Sequence, residues 1–346
     1  MIHHAIVGCG RVAENHADAF SLLHDVQIKY AVDIIGQKAQ ALAEKFGISL
    51  SATSLERILD DPELDTVSLA VPHYLHGPMA IQAAQAGKHV LIEKPLVTSL
   101  ADGKKLMEMA AHSDLVISPV AQHRFDRIVC EIKALMDSGE MGNIRLARGH
   151  LECYRPPGYY SDSDWRGLWE KEGGSVLINQ AYHIVDLLLH VGGPVSEVSA
   201  TMNTFQKDIM ETEDTLCAWL RFRNQAVGSI SICGSGGSSW SSYIEFICEK
   251  GLVAFDINFP NQLHRFEVAS KKGMKYWRDR LRGALPDPGT LSPGIGYYGI
   301  SHRDQAADFI AAVKKEKPTS GASLEQALDV VEVINNLYDS AKRQQK

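Results

Sequence analysis

None of the chain's six cysteines (Cys9, Cys130, Cys153, Cys217, Cys233 and Cys248) pairs in a CxxC spacing, and none sits in a Cys/His cluster. A disulfide framework is therefore unsupported, no metal site is expected, and reduced, mostly buried thiols are the expected state. Dense Lys/Arg runs are missing too. The formal net charge is -7, and the closing KRQQK reads as a helix end. That balance argues against general nucleic-acid affinity while leaving room for a local anion pocket. No apolar run is long enough to span a membrane, and MIHHAIVGCG enters a strand with neither a charged leader nor a cleavage site. A cytoplasmic location is the expectation. Internal repeats are absent as well. What remains is ordinary for a globular protein: 45% hydrophobic and 22% charged residues over 346 positions, enough for two domains.

The first third carries a recognisable pattern. The apolar run His4–Val7 leads into Gly8-Cys9-Gly10-Arg11-Val12-Ala13, then a helical stretch over Glu14–Leu23, then a strand over Val26–Val32 ending at Asp33. Strand, glycine-rich turn, helix and strand in that order form a dinucleotide fingerprint. Gly8 makes the tight turn, Gly10 admits a pyrophosphate to the backbone, and Ala13 lets helix pack on strand. The helix N-terminus then offers amides to phosphate. Asp33 lies twenty residues beyond Ala13, where a carboxylate accepts from ribose hydroxyls and repels a 2′-phosphate. Ile34, Ile35 and Gly36 follow it rather than Arg or Lys, which favours NAD over NADP. The plain alternative is Asp33 as a turn residue. Helices over Gln37–Phe46, Ser54–Asp60 and Met79–Ala86 alternate with strands over Thr66–Val71, His89–Ile92 and Leu115–Pro119, as in a doubly wound parallel sheet.

Two features carry chemistry. Lys94 follows strand His89–Ile92 inside Glu93-Lys94-Pro95, at the carboxyl end of a parallel strand, where ligands of such sheets bind. A cationic nicotinamide nearby would lower its pKa and ready it to exchange a proton with a hydroxyl. By position, Pro72, His73 and His76 line the cofactor edge after another strand. Further on, GGSVLINQAYHIVD places Asn179, His183 and Asp186 at i, i+4 and i+7, one face of a single helix. Polar groups among aliphatics need partners, and a satisfied core histidine is the bland reading of His183.

IVGCGRVAENH, VPHYLHGPMAIQAAQAGKHVLIEKPL and GGSVLINQAYHIVD together resemble the Gfo/Idh/MocA oxidoreductase family, and the likeness runs on from Gly299-Ile300-Ser301-His302 to the last helix. The resemblance implies an N-terminal Rossmann domain over 1–122 that binds NAD. It also implies an α/β domain over 123–346 with a large, mostly antiparallel sheet, the C-terminal helices being free to pack back on the first domain. That second sheet is implied to join subunits as a homodimer or homotetramer. Lys94, Asn179 and His183 are implied to surround the nicotinamide C4. On that footing His183 is the general base and Lys94 stabilises the developing alkoxide in oxidation of a secondary alcohol. Trp165-Arg166 is implied to stand near the nicotinamide end. Inositol dehydrogenases of the family carry Asp where Asn179 stands; Asn followed by Gln-x-x-His looks more like the branch acting on nucleotide-linked N-acetylhexosamine uronates.

The second half shows strand-like runs at Val198–Phe205, Thr215–Phe222, Ala226–Cys233, Tyr243–Cys248 and Leu252–Asn258, with a helix at 124–138 and a strand at Asn143–Cys153 before them. Pro156–Tyr160 reads as loop, GSGGSSW at 234–240 as an inter-strand loop, and 273–299 as irregular. Helices over Asp304–Lys315 and Ser323–Ala341 close the chain. Arg124, Tyr154, Tyr160 and Gln180 are substrate-pocket candidates, and Asp186 an orienting one or a structural one. Three functions stay open: a sugar, cyclitol or nucleotide-sugar dehydrogenase, a redox-coupled eliminase keeping its NAD, or a non-catalytic NAD/sugar-binding regulator.

Overall fold

The computed structural model describes residues 1–237, 240–258, 260–286 and 300–344. Strands β1 (Ile2–Val7), β2 (Val26–Val32), β3 (Leu50–Ala52), β4 (Thr66–Leu69), β5 (His89–Ile92) and β6 (Ile117–Pro119) alternate with α1 (Ala13–Ser21), α2 (Gly36–Phe46), α3 (Glu56–Leu59), α4 (His73–Gln85) and α5 (Leu100–Ala111). A 3-10 turn at Gln122–Phe125 precedes α6 (Arg127–Asp137), β7 (Ile144–Glu152), α7 (Pro157–Ser161), a π-helical segment at Val176–Gln180, and α8 (Tyr182–Gly192). Strands β8 (Val195–Asn203), β9 (Thr215–Phe222), β10 (Val227–Cys233), β11 (Ser241–Cys248), β12 (Gly251–Phe255) and β13 (Leu263–Val268) follow, then α9 (Lys271–Gly283), α10 (Ser301–Val313) and α11 (Leu324–Gln344).

The chain folds as two compact units. The first takes Met1–Phe125 and Ser292–Leu328, the second Asp126–Leu291 and Asp329–Lys346. In the first, all strands run parallel in the order β3-β2-β1-β4-β5-β6, the doubly wound arrangement. Alternation along the strands builds two cores. Ala5, Val7, Val90 and Ile92 join one apolar cluster, while Ile6 and Leu91, pointing the other way, join a second. Helix α10 completes that second cluster with Ala306, Phe309 and Ile310 against Ala13, Ala17 and Phe20 of α1. Gln305 fastens α10 to the sheet, accepting from Ala121 N–H and donating to the Pro119 carbonyl.

The second unit holds a seven-stranded sheet, β13-β12-β11-β7-β10-β9-β8, antiparallel except where β10 runs parallel to β7. No described helix is long and apolar enough to cross a membrane.

Several local readings change. Helix α4 starts at His73, not Met79, because Pro72 caps it in an extended conformation and Pro78, inside it, removes only one helical hydrogen bond. Helix α5 was hidden by its mixed composition, yet Ser99 caps it by accepting from Asp102 N–H. Pro156–Tyr160 is not all loop: Pro157 opens the short α7, its ring suited to a first helical position. Much of the span expected to be irregular is helix α9, with Gly273, Trp277 and Leu281 buried on one face; residues 287–299 of that span lie outside the described residues, as do 238 and 239 of the expected loop.

Candidate active site

The first unit gathers its functional candidates at the carboxyl ends of β1, β2, β4 and β5. Gly8 has φ +90°, and a Cβ there would lie 2.3 Å from the Ala70 carbonyl oxygen, so only glycine closes this turn. Around Gly10 a Cβ would meet nothing within 4 Å, leaving space beside the backbone before α1 begins. Asp33 holds the loop from the next strand: Oδ2 accepts from Cys9 N–H at 2.8 Å and Oδ1 from Ile35 N–H at 2.9 Å. Asp33 thus does make a turn, and each carboxylate oxygen keeps further acceptor capacity for a hydroxyl. Burial and then Asp33 push the Cys9 thiol up to about 12, which disfavours its thiolate. Arg11 is exposed and Val12 caps α1. These residues fit NAD, whose pyrophosphate the Gly8–Gly10 backbone and the α1 N-terminus would hold, with Asp33 toward a ribose.

His76 is placed otherwise than expected for a cofactor contact. Nδ1 lies 2.6 Å from the Pro95 carbonyl and Nε2 2.9 Å from the Val71 carbonyl, so both ring nitrogens face main-chain acceptors, one of which a neutral ring can serve as donor. The ring ties the end of β4 to the segment carrying Lys94. His73 is buried at the start of α4, its ring 5.8 Å from that of His76. Glu93 is buried, and its Oε2 accepts from Lys94 N–H at 3.1 Å. Arg124 belongs to this unit as well, donating from Nη1 to Gln326 at 2.6 Å.

In the second unit the expected single helix is two. The π-helical segment ends at Gln180, closed by Ala181 N–H on the Val176 carbonyl, and α8 then starts afresh with Val185 N–H on Ala181. The wider π turn breaks the i, i+4, i+7 stripe. Asn179 lies on one segment, His183 and Asp186 on the next, the latter two both buried. Two buried carboxylates anchor the irregular turn. Glu213 accepts from Ser175 N–H at 3.0 Å, Leu177 N–H at 2.8 Å and the Tyr338 hydroxyl at 2.9 Å. Burial raises its pKa from 4.5 to about 7, against the pull of those donors. Gly174, at φ +141°, makes room for Tyr338, whose oxygen would sit 2.1 Å from a Cβ there. Glu172 accepts from Gly167 N–H and, at 2.6 Å, from Asn179 Nδ2.

A polar, aromatic group surrounds Asn179. The Tyr159 hydroxyl accepts from Asn179 Nδ2 at 3.3 Å and from Gln180 Nε2 at 2.9 Å, while Gln180 Oε1 accepts from Arg155 at 2.5 Å. Arg166 lies over the rings of Tyr159 (4.5 Å) and Trp165 (4.9 Å); Arg155 lies over Tyr159 (4.9 Å) and Trp240 (5.1 Å). Trp165, Arg166, Gln180 and Asn179 therefore meet, joined by Tyr159, Arg155 and Glu172, which the sequence reading passed over. Charges flanking an apolar stretch, as in Tyr154-Arg155 and Glu172-Gly173-Gly174, were the available signal. Tyr160 is instead a core residue whose hydroxyl accepts from Ser175, and Tyr154 is exposed. Both amide hydrogens of Asn179 face protein acceptors, so in this arrangement it cannot be a hydrogen-bond donor to a substrate.

Comparison with known proteins agrees with this geometry. The family model for Gfo/Idh/MocA oxidoreductases, described as an NAD-binding Rossmann fold, matches residues 2–120, and that for the Gfo/Idh/MocA C-terminal domain matches 129–254. Levoglucosan dehydrogenase from Pseudarthrobacter phenanthrenivorans is 25% identical over 335 residues, covering 88% of this chain and 85% of its own. Myo-inositol 2-dehydrogenase from Thermotoga maritima is 25% identical over 256 residues, covering 72% and 74%. The WlbA dehydrogenase from Bordetella pertussis, solved with NADH and UDP-GlcNAcA, superimposes with a TM-score of 0.87 at 28% identity, covering 99% of this chain and 96% of that one. With a Rossmann unit, a seven-stranded second unit and both family models matched in order, the chain belongs to the Gfo/Idh/MocA family as an NAD-dependent oxidoreductase.

Proposed function

We propose that the protein oxidises a secondary hydroxyl of a sugar, a cyclitol or a nucleotide-linked sugar, NAD supplying the hydride acceptor when bound. The observation that carries this lies in the second unit, where Glu172 orients Asn179 just before a His183 at the start of α8, and the first unit adds a Lys at the carboxyl end of β5. In this reading His183 takes the hydroxyl proton, Lys94 donates a hydrogen bond to the oxygen as charge develops, and Asn179, held by Glu172, presents its carbonyl to the substrate. Imidazole suits proton transfer near neutral pH. The relatives named above, a levoglucosan dehydrogenase, a myo-inositol 2-dehydrogenase and a dehydrogenase solved with UDP-GlcNAcA, support the substrate class. The aromatic and arginine surroundings of Tyr159 favour a pyranose carrying an anionic group over a bare cyclitol.

The test is NADH production over inositols, free hexoses, glycosides and UDP-sugars, repeated with Lys94→Met and His183→Ala. Each substitution is expected to lower kcat by about a hundred-fold or more with NAD affinity retained. Turnover within a few-fold of the parent in both variants would sink the assignment. NAD binding without turnover of any compound would favour a regulator instead.

We further propose self-association through the second sheet. Cys217, Trp219 and Arg221 alternate outward along β9, with Val227 exposed on β10. Trp219→Glu is expected to lower the mass measured by light scattering if that face joins subunits, and an unchanged mass would refute the proposal.

A further inference from the structure

Glu93, His16 and His302 come from the end of β5, from α1 and from α10, and all three are buried. Glu93 Oε1 lies 3.0 Å from His16 Nε2 and 3.4 Å from His302 Nε2, while Oε2 takes the Lys94 N–H. A carboxylate withdrawn from water persists only where cations or several donors face it. Burial alone would raise the Glu93 carboxyl, but the two imidazoles outweigh it and hold it well below the usual carboxylate range. Burial pushes His302 down, with Glu93 opposing. Other titratable groups near the cluster include histidines, one lysine, and the Arg303–Asp18 pair on α10 and α1. His76 of α4 faces main-chain carbonyls, and it feels both Glu93 and Lys94. His4 of β1 feels His16 but spends its ring on Thr66 and Ser68, and His123 of the 3-10 turn feels His302.

Two histidines and a carboxylate whose ligand atoms lie within 4.8 Å of one another also have the composition of a metal site. Two features weigh against that use. His16 and Glu93 already close on each other at hydrogen-bond distance. Neither ring nitrogen of His302 has a hydrogen-bond partner among the described residues, whereas metal-bound imidazoles usually anchor their second nitrogen.

We propose that His16, Glu93 and His302 form a buried polar clamp that positions Lys94. One carboxylate oxygen holds the lysine's main chain, His16 hydrogen-bonds the other with His302 beside it at 3.4 Å, and the carboxylate charge favours the ammonium form of the side chain. These are positioning residues, and the proposal rests on the reading of Lys94 as the group that meets the substrate oxygen.

The experiment is the pH profile of kcat, with NAD affinity by fluorescence, for the parent, Glu93→Gln, His302→Leu, His302→Gln and Lys94→Met. Glu93→Gln keeps an acceptor for Lys94 N–H but removes the charge. Its lysine limb is expected to move to lower pH by about one unit, with kcat down about ten-fold and NAD affinity within about three-fold. His302→Leu should lower kcat similarly, while His302→Gln, which retains a donor, should recover most of it. Should Glu93→Gln fold poorly, the two His302 variants carry the comparison. Profiles that superimpose on the parent after scaling overturn the clamp while leaving the role of Lys94 intact, provided Lys94→Met is inactive. An active Lys94→Met removes the underlying reading and the clamp with it. A transition metal bound near one equivalent, whose removal by chelator abolishes kcat, overturns the clamp in favour of a metal centre.

Discussion

Single residues here do two jobs at once, and substitutions separate them. Asp33 spends one lone pair on Cys9 N–H and one on Ile35 N–H, so it shapes the turn that it also charges. Asp33→Asn offers one acceptor where two are needed and removes the repulsion of a 2′-phosphate. NAD affinity is expected to fall about ten-fold and the preference over NADP to shrink, read as dissociation constants for both. An unchanged ratio of the two constants would show that Asp33 is a turn residue only. Asn179 is the sharper case. An Asp in its place would set a second carboxylate against Glu172, where Nδ2 and Oε1 are now 2.6 Å apart. Two such groups cannot both ionise cheaply, so one pKa rises strongly. Asn179→Asp should therefore lose about 2 kcal/mol or more of transition-state stabilisation at pH 8. Part of the loss should return toward pH 6, as the pair takes up a shared proton; a flat ratio to the parent across that range contradicts the argument.

Among elements, legibility followed how local the causes were. The doubly wound half could be read from Gly8, Gly10, Ala13 and Asp33 because each requirement lies within one strand, turn and helix. The break between Gln180 and Tyr182 could not, because its cause lies elsewhere in the chain. Glu213 supplies acceptors to Ser175 and Leu177, and Tyr338 reaches Ile178 N–H from more than a hundred residues away. Lys94 and Glu93 stood out by position, whereas His302 lay inside a family-like segment with nothing local to mark it as a partner of Glu93. The anchoring of the π segment also has a measurable pH signature. The Glu213 pKa lies near 7 in the folded protein against 4.5 for the free group, so the folded state binds the proton more tightly. Its contribution to stability is complete below about pH 4.5 and is lost as pH rises to about 7, on the order of 3 kcal/mol in all. Glu213→Gln has no such titration. The melting-temperature advantage of the parent over this variant should narrow from pH 5 to pH 7.5 and then stay level. An advantage that widens with pH would mean that the amide donors dominate and the carboxylate is ionised throughout.

At the scale of the molecule, each unit is completed by a segment from the far end of the chain. Residues 1–125 supply every strand of the parallel sheet, yet the face bearing Ile6, Ala13, Ala17 and Phe20 is closed by Phe309 and Ile310 of α10. Arg303 adds an ion pair to Asp18 at 2.7 Å, and Gln305 bonds the exit of β6. Uncovering buried aromatic and aliphatic side chains costs about 1.5–3 kcal/mol each, comparable in sum to the whole stability of a small domain. The fragment 1–125 alone is therefore expected to unfold in urea without a sharp transition and to bind NAD weakly, despite holding every fingerprint residue. Joining residues 300–328 to it through a Gly/Ser linker should restore a cooperative transition and NAD affinity together. If the fragment alone unfolds with the same midpoint as the joined form, α10 is an ornament to this core and not its fourth wall. The same comparison made with Phe309→Ala in the joined form separates packing from the polar ties of Arg303 and Gln305. Loss of cooperativity in that variant, with both polar contacts still available, locates the requirement in the apolar cluster.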